Sequence, residues 1–502
     1  MKNNIVKVTL WDQNVGELYW DAHDRCAYFN YFPEFIARGL DIAPLSASIT
    51  KPALRHGEVY KGNKGKLYQG LPEFLADSLP DDWGKRVMRH WQSQYDRNVS
   101  LTPVDALSLM GKRAMGALEF EPSMKDWEQP FDIELSDLYH LAEKIMHDHE
   151  TPVGQIEDMP FSNLFKVGTS AGGKRPKAII AINEETGDVI SGQVLLPAEF
   201  KHYILKFNEQ GSLPMTQLEK TYYDMATSSG IRMMPSRLIE VGGVHHFLTE
   251  RFDRCHGEKI HTQTLAALDP DAESYEDLFA VARKLGICMS DFEQLFRQAV
   301  FNILSSNLDD HSKNFSFCMS KDGRWSASPA YDICFTYDLT GMGFGNHHEL
   351  SLSGKTSDFD RNDLIAFGQQ NDISQPENVI DHVCSVLSDF RKYAKDNGIS
   401  ETISDIIQKH LDHNMGIDRE QLKTTSVSQL PEGVVLSRIS ITSNKKGRVL
   451  TIEVNNQHRM SKPISSEDYI AQRVGLIAKE ELALKYFKQE IDAIFAQNMH
   501  ED

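Results

Sequence analysis

The strongest constraint on the fold is a change of periodicity along the chain. Between residues 177 and 252 apolar residues recur in strand-like runs (KAIIAIN, VISGQVL, HYILKFN, SRLIEVG, VHHFLTERF), interrupted by one helical stretch near 215–229. After about residue 274 the pattern is helical, in SYEDLFAVARKLG and SDFEQLFRQAVFNILSSN. Period-2 runs bury one face of a sheet, and period-3.6 runs bury one stripe of a helix. A β-rich lobe carrying one helix is therefore expected to precede an α-rich lobe, giving a two-lobed α+β architecture.

The flanks read as separate units. Residues 1–135 open with the β-like runs IVKVTLWD, VGELYWD and CAYFNYF and pass to helical patterns in DDWGKRVMRHWQSQYD and TPVDALSLMGKRA, which predicts a small α/β subdomain. Residues 136–265 and 266–420 then form the β-rich and helical lobes, with two amphipathic helices over 376–412. In 421–502, GVVLSRISI and RVLTIEV flank SNKKG as a hairpin, and SSEDYIAQRVGLIAKEELALKYFKQE reads as one long capped helix. This extension is expected to be a regulatory or partner-binding module.

Composition excludes several classes. A chain of 502 residues, 40% hydrophobic and 25% charged, is ordinary for a globular protein of two to four units. Its net charge of −19 argues against a broad polyanion-binding surface. The amino-terminal residues enter a strand pattern without a signal-peptide profile, and no apolar run approaches the roughly 18 residues of a membrane span. A cytoplasmic protein is expected. The six cysteines lack CxxC spacing and are read as reduced, mostly buried small hydrophobes.

The chemistry concentrates in Asn307-Leu308-Asp309-Asp310-His311-Ser312-Lys313-Asn314, which follows an apolar helix and precedes the strand-like run FSFCM. Read alone, this is a polar turn at a helix end. Asp309 and Asn314 are five residues apart, however, the separation at which a kinase catalytic loop places its base and its metal-binding amide. One carboxylate must receive or orient a hydroxyl proton, while a neutral amide oxygen coordinates Mg²⁺. Asp332 follows 18 residues after Asn314 and fits a second Mg²⁺ ligand.

Upstream, the Gly/Ser stretch Val167 to Lys177 holds Gly168, Thr169, Ser170, Gly172 and Gly173 with three cations, Lys174, Arg175 and Lys177. Glycines let backbone N–H groups approach phosphate oxygens, although the GK[ST] ending of a Walker A loop is missing. Lys206 lies inside an apolar strand, where an ammonium needs a partner, and Glu219 on the following helix can supply it. Glu250 and Phe252 fall at the junction of the two lobes, where a kinase hinge bonds adenine. His245 and His246 are read as structural.

The stretches VGTSAGGKRPKA, YILKF, FLTERFDR, NLDDHSKNFSF and SPAYDI, with VGELYWD, LPEFLADSLPDDWGKRVMR and MGALEFEP before them, resemble the HipA family of toxin kinases over roughly residues 5–415. The resemblance implies an ATP- and Mg²⁺-dependent serine/threonine kinase with Asp309 as catalytic Asp, Asn314 and Asp332 as metal ligands and Lys206 on the nucleotide phosphates. It implies autophosphorylation at Ser170, with Thr169 a second candidate. His311 stands two residues after the base, where many kinases carry a lysine, and is expected to touch the γ-phosphate. The family implies a cytoplasmic protein substrate, in known members often an aminoacyl-tRNA synthetase, and a small DNA-binding antitoxin through which DNA is met indirectly. Segment 420–502 has no counterpart in the compact family members. A nucleotide-binding regulator without turnover, and a kinase with a small-molecule acceptor, stay open beside this reading.

Overall fold

The computed structural model describes residues 5–95, 101–123, 128–147, 161–168, 174–209, 213–255, 257–339, 345–417, 436–444, 447–455, 458–473 and 479–498. The first unit is a five-stranded antiparallel sheet of β1 (Ile5–Leu10), β2 (Gln13–Asp21), β3 (Cys26–Tyr31), β4 (Tyr60–Lys61) and β5 (Leu118–Glu121) in the order β4-β3-β2-β1-β5. Alternation places Val6, Val8, Leu10, Val15 and Leu18 on a buried face with Phe29, Phe35 and Phe74. Helix α1 (Asp82–Tyr95) follows and turns Trp83 and Val87 away from this core into the next one.

That second core lies under an antiparallel sheet of β6 (Lys177–Asn183), β7 (Val189–Ser191), β8 (Phe200–Lys206), β9 (Ser236–Val241) and β10 (Val244–Glu250), ordered β7-β6-β8-β10-β9. Ala178, Ile180, Tyr203, Leu205 and Leu248 pack against α1, α2 (Leu135–His147) and α3 (Phe161–Gly168). The opposite face, through Lys177, Ile179, Ile204 and Lys206, turns toward α4 (Met215–Ser228) and the helical lobe. Both faces of β6 are covered, which is why KAIIAIN is a continuous apolar run. Gly168 ends α3, so the Gly/Ser stretch begins at a helix terminus rather than wholly in a loop. Thr169, Ser170, Gly172 and Gly173 lie outside the described residues.

The helical lobe is built on α5 (Tyr275–Leu285) and α6 (Met289–Ser305). Ser274 caps α5 by accepting from the Asp277 N–H, and Gly286 closes it with φ 67°. A three-stranded sheet of β11 (His261–Thr264), β12 (Ser316–Met319) and β13 (Trp325–Ala327) bears the loop between α6 and β12. Helix α7 (Arg361–Gln370) starts at a capping box of Asp360 and Asp363. The expected pair of helices over 376–412 is instead three: α8 (Pro376–Leu387), α9 (Phe390–Asp396) and α10 (Glu401–Asn414). Gly398 in the left-handed region, followed by Ser400 as an N-cap, ends one helix and starts another within a few residues.

The extension also departs from expectation. It holds three strands, β14 (Leu436–Asn444), β15 (Gly447–Val454) and β16 (His458–Ile464), rather than a hairpin. The third, HRMSKPI, lacks apolar alternation and contains Pro463, which an edge strand tolerates. Two helices, α11 (Ser466–Arg473) and α12 (Lys479–Asn498, kinked at Phe487), replace the single long one. Its core of Leu450, Ile452, Val454, Ile470 and Leu482 includes Ile406 from α10 and packs against Leu213 and Leu339. The cysteines correct the expectation of burial: Cys26 and Cys334 are buried, but Cys255 and Cys288 are exposed; all six are free thiols. Among the described residues no helix is long and apolar enough to cross a membrane.

Buried histidines give the fold a pH signature. Burial pushes His202, His246 and His261 down to about 4. Each is neutral when folded and takes up a proton on unfolding below its ordinary value of 6.5, so stability is full above that value and is lost as pH falls toward 4. The expected slope is on the order of 1.4 kcal/mol per pH unit for each histidine in this window. Urea midpoints measured across it should fall, and His261→Gln should flatten the decline; an unchanged slope would refute the assignment.

Candidate active site

Lys206 is the last residue of β8, with 9% of its side chain exposed. Its ammonium is hydrogen-bonded and ion-paired to Glu219 of α4 and to Asp332. Burial opposes the charge, but these two carboxylates hold the amine above its ordinary value. Lys177, the first residue of β6, stands directly opposite Lys206 in the sheet register and is buried as well. Two like charges facing each other across neighbouring strands are unfavourable unless an anion lies between them. Asp332 meets that need: burial would raise its carboxyl, yet Lys206, Lys177 and Arg175 hold it well below the usual carboxylate range. Burial pulls the Lys177 amine down, against the attraction of Asp332. Burial opposes the Arg175 charge, while Cys334, Glu219 and Asp332 hold the guanidinium above its ordinary value.

Asp332 has φ 56°, a left-handed conformation uncommon for any residue but glycine and tolerated by Asp. The residues around it anchor the turn. Cys334 N–H donates to Asn307 Oδ1 at 3.3 Å, and Thr336 Oγ1 accepts from the Leu308 and Asp309 N–H groups at 2.7 and 3.2 Å. The segment after Asp332 and the loop after α6 are thus stitched together.

That loop leaves α6 through Ser306, in the left-handed region at φ 57°. It contains two adjacent carboxylates with opposite environments. Asp309 is half-exposed, with His311 Nε2 3.7 Å from its Oδ1. Asp310 is wholly buried and accepts from Tyr275 Oη at 2.6 Å and the Glu349 N–H at 2.8 Å, with His348 Nδ1 2.7 Å away. Asn302 Nδ2 in turn donates to Tyr275 Oη at 3.3 Å. The Asn314 side chain donates through Nδ2 to the Asp309 carbonyl at 2.6 Å, which leaves its Oδ1 as the atom for a cation. One carboxylate and one amide oxygen suit Mg²⁺, which keeps much of its water and is bound by few protein groups.

The expected residues therefore divide. Lys177, Lys206, Glu219 and Asp332 form one charged cluster, and Asp309, His311 and Asn314 lie on the adjoining loop tied to it through Asn307 and Thr336. Glu250 and Phe252 lie apart from the lysines, at the end of β10; Glu250 Oε2 is 3.8 Å from Lys201 Nζ, and the Phe252 ring stacks on Tyr331 at 5.8 Å. Both line a cleft of about 520 Å³ reaching from Phe200–His202 to Cys318 and Ala327. His246 is buried and its Nδ1 accepts from the Asn208 N–H at 3.0 Å, in keeping with a structural role. Sequence reasoning overlooked the Asp310 network; an Asp-Asp doublet at a helix end was the signal, since only one of the pair can face a substrate.

A strand lysine paired with a helix glutamate, and a helical lobe presenting an Asp/Asn loop and a second Asp, define a two-lobed kinase-like fold. Residues 169–411 match the family model for the HipA-like C-terminal domain, and residues 6–121 match that for the HipA N-terminal domain. The chain belongs to the HipA family. Among solved structures it is similar to HipA of Shewanella oneidensis MR-1, determined in a complex with HipB and its operator DNA, at 16% identity and a TM-score of 0.55 over 82% of this chain and 95% of that one. The Helicobacter pylori proinflammatory kinase CtkA also matches, at 12% identity and a TM-score of 0.32, over 43% of this chain and 86% of that one.

The two carboxylates are separable by stability. Asp310→Ala removes the acceptor of the buried Tyr275 hydroxyl and the partner of the buried His348 ring and should cost about 3 kcal/mol. Asp309→Asn should leave the urea midpoint unchanged. Equal destabilisation by both would contradict the division.

Proposed function

We propose that this chain is an ATP- and Mg²⁺-dependent serine/threonine protein kinase that acts as a growth-inhibiting toxin. The observation that carries the reading is the buried Lys206 bridging Glu219 and Asp332 beside a loop whose single exposed carboxylate is Asp309. Lys206 and Lys177 would bind the nucleotide phosphates, whose negative charge takes over the role Asp332 plays between them. Glu219 would keep Lys206 in place when Asp332 is engaged elsewhere. Asn314 and Asp332 would hold Mg²⁺, which supplies charge neutralisation at the transferred phosphoryl group when bound. Glu250 and Phe252 would bracket the adenine at the hinge.

In this mechanism Asp309 receives or orients the proton of the acceptor hydroxyl, and His311, 3.7 Å from it, faces the terminal phosphate. The acceptor is a serine or threonine of a cytoplasmic protein, an aminoacyl-tRNA synthetase being one such target. Ser170, or Thr169, would be the autophosphorylated residue; Gly168, Gly172 and Gly173 would let the stretch follow the phosphates. A phosphate there adds about −1.5 to −2 charges beside Lys174, Arg175 and Lys177, enough to re-pair these cations and withdraw the segment. The domains proposed are 1–135, 136–265, 266–420 and 421–502. The likeness to a HipA solved with HipB and operator DNA favours a DNA-binding antitoxin as partner.

Transfer of labelled phosphate from ATP to the chain itself or to a cytosolic protein should fall by about 10²-fold or more in Asp309→Asn. Wild-type labelling by that variant would sink the proposal. ATP-dependent thermal stabilisation without any transfer would mark a nucleotide-binding regulator instead.

A further inference from the structure

The stretch from Asp77 to Trp83, in the N-terminal unit, is fastened at three points around the site. Asp77 accepts from Thr264 N–H at 2.7 Å and from Thr264 Oγ1 at 2.9 Å, at the cap of the short helix Leu265–Leu268. Asp81 is ion-paired to Lys313 Nζ, with 22% of each side chain exposed. Trp83, 1% exposed, donates from Nε1 to the Lys177 carbonyl at 2.9 Å. These contacts span 187, 232 and 94 residues of sequence.

Lys313 is the middle residue of the 3₁₀ turn Ser312–Asn314. A single 3₁₀ turn has poor hydrogen-bond geometry and little stiffness of its own. This one is gripped from both sides: Asp81 takes the Lys313 ammonium, and Tyr331 Oη donates to the Lys313 carbonyl at 2.7 Å. The next residue is Asn314. Trp83 grips the first residue of β6, the strand that presents Lys177 opposite Lys206. The Asp81 contact therefore sits one residue from Asn314, and the Trp83 contact is made on the backbone of Lys177 itself.

We infer that Asp81 and Trp83 are positioning residues, by which the N-terminal unit sets the catalytic centre: Asp81 holds the turn bearing Asn314, and Trp83 holds the strand end bearing Lys177. The inference rests on the kinase reading for its effect on catalysis, and on geometry alone for its effect on the turn. It assigns the N-terminal unit a part in positioning the site.

The test uses the full chain. In Asp81→Asn, amide exchange in a peptide covering residues 309–316 should accelerate about tenfold without nucleotide, and the Mg²⁺ concentration for half-maximal labelling should rise several-fold while the KM for ATP stays within about twofold. The double variant Asp81→Lys with Lys313→Asp should bring exchange back toward wild type. Trp83→Phe keeps an aromatic side chain and removes the donor, so it should raise the KM for ATP and leave the Mg²⁺ requirement alone. Unchanged exchange in Asp81→Asn, or a general fall in Tm with both requirements shifted together, would overturn the inference. A wild-type chain that transfers no phosphate would defeat the kinase proposal, and the exchange measurement would still decide this one.

Discussion

The buried ammonium of Lys206 is the interaction on which the rest of the arrangement depends. An ammonium removed from water must be paired, and its two carboxylates come from different places: Glu219 from the helix of the β-rich lobe, Asp332 from the segment after β13 in the helical lobe. One cation thereby fixes the relation of strand, helix and opposite lobe. Because Lys177 faces Lys206 in register, the cluster has a standing demand for negative charge. Asp332 meets that demand within the fold, held ionised by Lys206, Lys177 and Arg175.

A second buried charge cluster fixes the junction between the lobes. Arg251 donates to both oxygens of Asp253 at 2.8 Å, while Arg254 reaches the Ala114 and Gly116 carbonyls at 2.9 Å. The Gly116 N–H returns a bond to Asp253 at 2.7 Å. Gly116 has φ 74°, which favours glycine, and a Cβ there would stand a tight 3.3 Å from the Thr262 nitrogen. Lys259 bonds the Lys112 carbonyl and Glu119 across the same boundary. The N-terminal unit is thus joined by charge to the segment after β10 and through Asp81 to the loop after α6. At the other end of the chain, the extension packs Leu339, seven residues beyond Asp332, against its own core.

The parts legible in the sequence were those whose physics is local. The switch from period 2 to period 3.6 gave the order of the lobes, because each lobe buries a regular face. Spacing set Asp309 and Asn314 on one short loop, where the Asn314 side chain bonds the Asp309 carbonyl. The strand lysine was visible because a cation in HYILKF breaks the apolar pattern. The third strand of the extension was not, since its cations and proline mask an edge strand. The division of 376–412 into three helices rather than two was likewise hidden.

What the sequence determined by itself is the inventory and its order: which residues can accept a proton, hold a cation or pair an ammonium, and in which element each lies. What only the tertiary structure decided is who meets whom. Nothing local distinguishes Asp309 from Asp310; the structure buries one against Tyr275 and His348 and leaves the other half-exposed. Nothing local brings Asp81 to Lys313 or Trp83 to the Lys177 carbonyl, because those pairings depend on how one unit docks on another. Periodicity and spacing act over a few residues, whereas the environment that gives a side chain its role is assembled from segments hundreds of residues apart.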